Sequence, residues 1–207
     1  MAGPGSDGTN GLEKSLPSHY YTSAQIFERE KNLIFAQEWF CAGREEELPG
    51  PGNYNVLEIA GESIIVVRTA SGGLKAHYNV CRHRGARLCA TPEDSEWNVK
   101  LAGGVTPSGS IRCPYHQWTY SFEGELLGAP FLKDAGGFCK EDFSLYPAGV
   151  DTWGGFFFLN LNPKNASSET PDVRSQLGAA VHRVARSPGP SARSRATAAA
   201  APVPARP

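Results

Sequence analysis

No stretch of the 207-residue sequence is long and apolar enough to cross a bilayer. Runs such as Gly155-Phe156-Phe157-Phe158-Leu159 stop far short of the roughly 20 residues a spanning helix needs. The first ten residues, Met1 to Asn10, lack both a basic start and an apolar stretch, so no secretory signal is read there. An excess of positive charge is also missing. Twenty Lys+Arg face 21 Asp+Glu, which argues against a dedicated nucleic-acid binder. Five cysteines are an odd number for a disulfide framework. Without a signal the expected compartment is the reducing cytoplasm, where thiols stay free or bind metal.

Aromatic residues are lacking from one end only: none follows Phe158. Residues 1–170 carry 14 Lys+Arg and 20 Asp+Glu, whereas residues 171–207 carry six Arg, no Lys and one acid, Asp172. The same segment holds ten Ala, six Pro and four Ser. Such a composition cannot bury enough apolar surface to offset chain entropy, so residues 164–207 read as a low-complexity, disordered tail with at most a short helix around 173–186. Residues 1–17, rich in Gly and Ser, read as a flexible leader.

Between these ends the patterning is that of a folded domain. Thr22 with Gln25 three residues on forms a capping-box pattern, and Ile26, Phe27, Leu33, Ile34 and Phe35 recur at helical spacing. A helical segment over 18–40 is predicted. From Asn53 the period changes to that of strands: 53–60, 63–69 and 74–80, separated by Gly61-Glu62 and Gly72-Gly73. Further strands are expected at 110–113, 118–122, 125–127, 143–146 and 155–160, with Gly124 turning one hairpin. The fold class is mainly β: an antiparallel domain over 41–163 with one N-terminal helix and no internal repeat.

Two strand ends carry the chemistry. Cys81-Arg82-His83 follows the strand 74–80, and Cys113-Pro114-Tyr115-His116 comes directly after Ser110–Arg112. Each loop offers one thiolate and one imidazole. A 2Fe-2S cluster of the Rieske kind needs this set, two thiolates on one iron and two imidazoles on the other. Splitting each pair between two irons accounts for C-x-H on one loop and C-x-x-H on the other. A structural zinc site would accept the same four ligands, although zinc fingers usually pair Cys with Cys on a smaller fold. Ordinary core residues are the third reading.

The flanking residues resemble a known family. Asn79-Val80-Cys81-Arg82-His83-Arg84-Gly85-Ala86 and Arg112-Cys113-Pro114-Tyr115-His116-Gln117-Trp118-Thr119-Tyr120 are similar to the two cluster loops of Rieske non-haem iron oxygenases. The match is best to the large (α) subunit of aromatic-ring-hydroxylating dioxygenases and related monooxygenases. The resemblance runs from about Tyr21 to Pro163. It implies Cys81 and Cys113 as sulfur ligands and His83 and His116 as nitrogen ligands of a Rieske 2Fe-2S cluster. Rieske proteins of the cytochrome bc type add a disulfide with a Cys in each loop; Ala86 and Tyr115 stand there instead. The 29 residues between His83 and Cys113 are about twice the family's gap, and the excess, 91–109, reads as a surface insertion.

Around the loops, Arg82 and Arg84 read either as solvated charges or as a docking face for an acidic redox partner. Tyr115 and Trp118 are expected to shield the cluster. Cys41, Cys89 and Cys139 read as free thiols, and His19, His77 and His182 as structural or exposed. These last three lack the short His–His spacing of the mononuclear Fe(II) site that the resemblance implies for a separate catalytic domain.

The chain therefore reads as the Rieske electron-transfer part of a ring-hydroxylating or related oxygenase, without the domain that does oxygen chemistry. The implied partners are a reductase or ferredoxin electron donor and full-length oxygenase subunits, with no nucleic acid and no membrane. Its Ala/Arg/Pro/Ser tail is what a GC-rich gene yields when read out of frame, so truncation or frameshift near 163–170 is the expectation. A free-standing Rieske-type ferredoxin is the alternative, and a zinc-stabilised binding domain the third.

Overall fold

The computed structural model describes residues 15–90, 109–130, 132, 137–162 and 172–178. Residues 1–14 of the expected leader, 91–108 of the insertion expected over 91–109, and most of the tail lie outside the described residues. The chain divides into two compact units, Met1–Thr170 and Pro171–Pro207.

The first unit is mainly antiparallel β. Six strands form one sheet: β1 (Phe40–Arg44), β2 (Tyr54–Ile59), β3 (Glu62–Arg68), β4 (Leu74–Tyr78), β8 (Pro147–Trp153) and β9 (Phe156–Asn160), in the order β1-β9-β8-β4-β3-β2. Three short strands, β5 (Ile111–Arg112), β6 (Thr119–Tyr120) and β7 (Leu126–Gly128), form a second sheet in sequence order. Strands β2 to β4 sit where the patterning predicts, joined at the two predicted glycine turns.

Strand β3 divides the interior. Ile64, Ile65, Val66 and Val67 are all buried, and alternate side chains enter opposite cores. Ile64 and Val66 join Leu48, Ala76, Phe157 and Leu159. Ile65 and Val67 join Cys81, Cys113, Trp118, Tyr120, Phe122 and Leu145. The two Cys of the candidate site thus belong to a packed aromatic core rather than to a surface loop.

Four features differ from the sequence reading. The helix is capped by Ser23, whose side chain accepts from Ile26 N at 3.4 Å, while Thr22 ends a separate turn, α1 (His19–Thr22). It runs as α2 (Ala24–Glu30) and widens to a π-turn over Lys31–Phe35, closed by Ala36 N on Lys31 O at 2.9 Å. Strand β1 was not predicted, because Phe-Cys-Ala-Gly-Arg has little β patterning. It forms by pairing with β9, and Gly43 is required there: a Cβ would lie 2.5 Å from the Phe157 ring. Strand β8 was not predicted either, and 143–146 is not a strand. Lys140–Phe143 is instead a 3-10 turn leading into β8.

The second unit contains α3 (Val173–Leu177), capped by Asp172 Oδ1 accepting from Ser175 N at 2.8 Å. The rest of the helix expected to 186 lies outside the described residues.

Candidate metal centre

The two Cys–His loops fold by one plan despite their different spacing. In the first, Gly85 N donates to Cys81 O at 2.9 Å and Cys81 N to Ala86 O at 2.8 Å. In the second, Gln117 N donates to Cys113 O at 3.1 Å and Cys113 N to Trp118 O at 2.7 Å. Each loop therefore closes on its Cys from the residues four and five positions later. The residue at the fourth position is left-handed in both, Gly85 at φ 70° and Gln117 at φ 62°. Gly85 adopts this without cost; for Gln117 the strain is on the order of 1 kcal/mol, a size the loop's hydrogen bonds offset. Within this shared turn His83 stands two residues after its Cys and His116 three after.

The loops bring the four predicted residues together as two pairs, His83 with His116 and Cys81 with Cys113. The His83 and His116 rings approach edge to face, with centroids 4.7 Å apart. Cys81 and Cys113 are both 2% exposed, and the Cys81 thiol is near enough to act on that of Cys113. Burial first, and then the Cys81 thiol, push the Cys113 thiol above its ordinary range, against the pull of the Tyr115 and His116 backbone N–H groups on its sulfur. Desolvation, the His116 ring and Arg84 all hold the His83 imidazole below its ordinary pKa, in the neutral form that ligates metal.

Two polar atoms at this centre are orphaned. His83 Nδ1 and His116 Nδ1 are buried and have no hydrogen-bond partner among the described residues. Leaving two such atoms unmet costs about 1–3 kcal/mol each unless something binds them. A pair of orphaned imidazole nitrogens beside a pair of buried thiols fits two metal ions, one for each pair. A single zinc ion fits less well. Among the described residues, no three of His, Cys, Asp or Glu come together as one metal ion would require.

Aromatic residues wall the centre. Trp118 is 2% exposed and lies parallel to His83, 7° and 4.8 Å between rings. Tyr115 covers one face of His116 at 3.7 Å but is itself 61% exposed, so Trp118 carries most of the shielding. The Tyr120 hydroxyl lies 3.3 Å from Cys81 Sγ and accepts from Arg82 N at 3.2 Å. That bond occupies one lone pair, and toward a thiolate at Cys81 the hydroxyl can only donate.

Sequence reasoning missed Tyr120 and Asn79. The Asn79 Oδ1 accepts from Leu88 N at 3.0 Å and Cys89 N at 2.9 Å, and its Nδ2 donates to Cys89 O at 2.7 Å. One buried amide thereby pins the return of the first loop. An Asn directly before a Cys–His loop is the signal that could have found it. Other residues fall outside the centre. Cys41 and Cys139 are exposed, and burial pushes the Cys89 thiol up to about 12, so it stays protonated. His77 is buried, with Nε2 donating to Phe122 O at 2.9 Å; His19 is exposed; His182 lies outside the described residues.

Comparison with known proteins agrees with this geometry. The family model described as the Rieske [2Fe-2S] domain matches residues 38–146. The carnitine monooxygenase oxygenase subunit of Acinetobacter baumannii is 36% identical over 148 residues, 72% of this chain and 37% of its own length. The glycine betaine monooxygenase oxygenase subunit of Pseudomonas aeruginosa is 40% identical over 147 residues, 71% of this chain and 31% of its length. Among solved structures, a quaternary ammonium Rieske monooxygenase in complex with L-carnitine superposes with a TM-score of 0.68 at 34% identity, covering 81% of this chain and 43% of that one. Naphthalene 1,2-dioxygenase from Rhodococcus sp. gives 0.67 at 30% identity, covering 82% and 35%. The chain thus spans well under half the length of these relatives. The family match covers more than half of the chain and contains both Cys–His loops. The orphaned nitrogens and paired thiols are what such a cluster would meet, and the chain belongs to the Rieske [2Fe-2S] domain family.

Proposed function

We propose that Cys81 and Cys113 hold one iron of the Rieske cluster and that His83 and His116 hold the other through Nδ1. The observation that carries this is the pair of buried, unpartnered Nδ1 atoms beside the thiol pair. When bound, the cluster supplies a one-electron couple, set well above that of an all-Cys cluster by its imidazole ligands. The protein's own residues do the rest. Trp118 and Tyr120 exclude water from the sulfur side, and Tyr120 offers its hydroxyl proton to Cys81 Sγ. The half-buried His83 and His116 rings reach the surface, and this edge is where electrons enter and leave.

The domain over 41–163, led by the helical segment 18–40, serves as the electron-transfer part of a non-haem iron oxygenase. Its donor is a reductase or ferredoxin in the cytoplasm, and its acceptor a mononuclear iron in an oxygenase catalytic domain. Since the carnitine and glycine betaine monooxygenase subunits both resemble it at 36–40% identity, the substrate class supported best is a small quaternary ammonium compound.

Iron and acid-labile sulfide analysis with electron paramagnetic resonance of the reduced protein tests the ligand set. Unsubstituted protein should carry two irons per chain with a Rieske spectrum. Cys81→Ser or Cys113→Ser should lose it and destabilise the domain, because metal binding and folding are coupled. Cys41→Ser and Cys139→Ser should keep full iron. Full iron and an unchanged spectrum in Cys81→Ser would refute the assignment.

A further inference from the structure

We propose that Arg82 is a positioning residue: through the 142–144 backbone, Phe143 and Trp118 it sets the plane in which His83 presents Nδ1. The inference rests on the ligand reading above and goes beyond it.

In sequence Arg82 is a loop charge between two ligands. In the structure its guanidinium is engaged on three sides. Nη1 donates to Ser144 O at 2.7 Å, Nη2 donates to Asp142 O at 3.3 Å, and the guanidinium stacks over the Tyr146 ring at 4.0 Å. The planar fork of Arg suits two carbonyls and an aromatic face at once; a lysine ammonium cannot match all three.

Between those two carbonyls stands Phe143. Its ring meets Trp118 edge to face at 5.5 Å and 84°, and stacks with Phe138 at 4.9 Å. Trp118 in turn lies flat against His83. The path leaves the chain at Arg82 and returns at His83, its neighbour, closing a ring of contacts around the imidazole. At the start of that ring Arg82 N is fixed by the Tyr120 hydroxyl. Without the guanidinium, the 142–144 segment loses two ties that span 60 and 62 residues. Phe143 is then free to shift, and Trp118 loses the edge that holds it against the ring. What Arg82 contributes is thus its shape and its donors. A positive charge alone, placed there, would not reproduce it.

Pulsed electron paramagnetic resonance on the reduced, cluster-loaded protein reads this directly, through the nitrogen couplings of the two imidazoles and the deuterium modulation after exchange into D₂O. Arg82→Gln should alter the coupling of one imidazole and deepen the deuterium modulation per cluster. Arg82→Lys, which keeps the charge, should not restore the native couplings. Phe143→Leu should produce the same change from the middle of the path, and it serves where Arg82→Gln fails to load. Trp118→Phe combined with Arg82→Gln should add nothing beyond Trp118→Phe alone. Restoration by Arg82→Lys would overturn the inference in favour of a charge effect. Native couplings in Arg82→Gln or Phe143→Leu would overturn it outright. Absence of two nitrogen couplings in the unsubstituted protein would instead overturn the ligand reading itself, and this inference with it.

Discussion

Tyr120 shows how one buried hydroxyl serves both the backbone and the metal centre. Its oxygen accepts the Arg82 N–H and lies 3.3 Å from Cys81 Sγ, which as a metal-bound thiolate could only accept the hydroxyl proton. Burial, together with the Cys81 sulfur, holds the phenol above its ordinary pKa, so the group remains a donor at any physiological pH. In the proposed cluster, reduction would add negative charge shared with the sulfurs of Cys81 and Cys113. A donor aimed at sulfur stabilises the reduced form more than the oxidised form and raises the potential. Tyr120→Phe should therefore lower the midpoint potential while iron content stays full. Voltammetry of the loaded variant checks this, and an unchanged potential would show that the hydroxyl serves only the Arg82 amide. The leftover N–H should also reduce stability, by about 1–3 kcal/mol.

At the scale of elements, His77 on β4 joins the two sheets. Its Nε2 donates to Phe122 O, at the start of the turn between β6 and β7, and its ring lies where a Cβ on Gly124 would come within 2.6 Å. Because a carbonyl only accepts, Nε2 carries the proton, and Nδ1 is bare and unpartnered among the described residues. Burial lowers the pKa of this imidazole, Lys75 adds to that, and the bond to Phe122 and the Glu123 charge oppose it. The folded state thus resists a proton that the unfolded chain accepts near its ordinary value of about 6.5. Stability contributed by neutral His77 is complete above that value and is lost as pH falls below it. Denaturation midpoints at pH about 7.5 and about 5.5 should therefore differ more in the native protein than in His77→Gln, which keeps an N–H donor but cannot charge. An equal loss in both would remove His77 from the account.

What was legible in the sequence follows from the range of the forces involved. Strands β2 to β4 were readable because Ile64–Val67 and the glycine pairs encode period and turn locally. The four residues proposed as ligands stood out in the sequence because metal chemistry restricts residue type and spacing. Strands β1 and β8 were not, since Cys41-Ala42-Gly43 and Pro147-Ala148-Gly149 become strands only through their partners β9 and β4. The supporting contacts were hidden for the same reason: Arg82 reaches Tyr120 across 38 residues and Ser144 across 62. Residue type and spacing single out candidates for binding metal, and the long-range packing around them is written in no local pattern.

For the molecule as a whole, the two hydrophobic cores decide which parts of the chain the metal centre depends on. The described members of both cores run from Phe40 to Leu161, and none belongs to residues 171–207. Those last 37 residues hold six of the chain's Arg and one acid, and they supply neither a Cys nor an aromatic ring to the wall formed by Trp118, Phe138 and Phe143. Their described part is a single short helix, Val173–Leu177, capped within its own unit by Asp172. A helix of five residues has little stability of its own in water, and propagation cannot recover the cost of its nucleus over so short a length. Deleting 171–207 should therefore leave iron content, the reduced paramagnetic spectrum and the midpoint potential of the remaining protein unchanged. Removing six cations should also slow association with an acidic redox partner at low salt, if the tail steers that encounter, and leave the rate unchanged at high salt. Stopped-flow reduction across an ionic-strength series separates the two effects. Loss of the spectrum on deletion would mean that the second unit helps to hold the centre, and that the division at Thr170 is not a functional boundary.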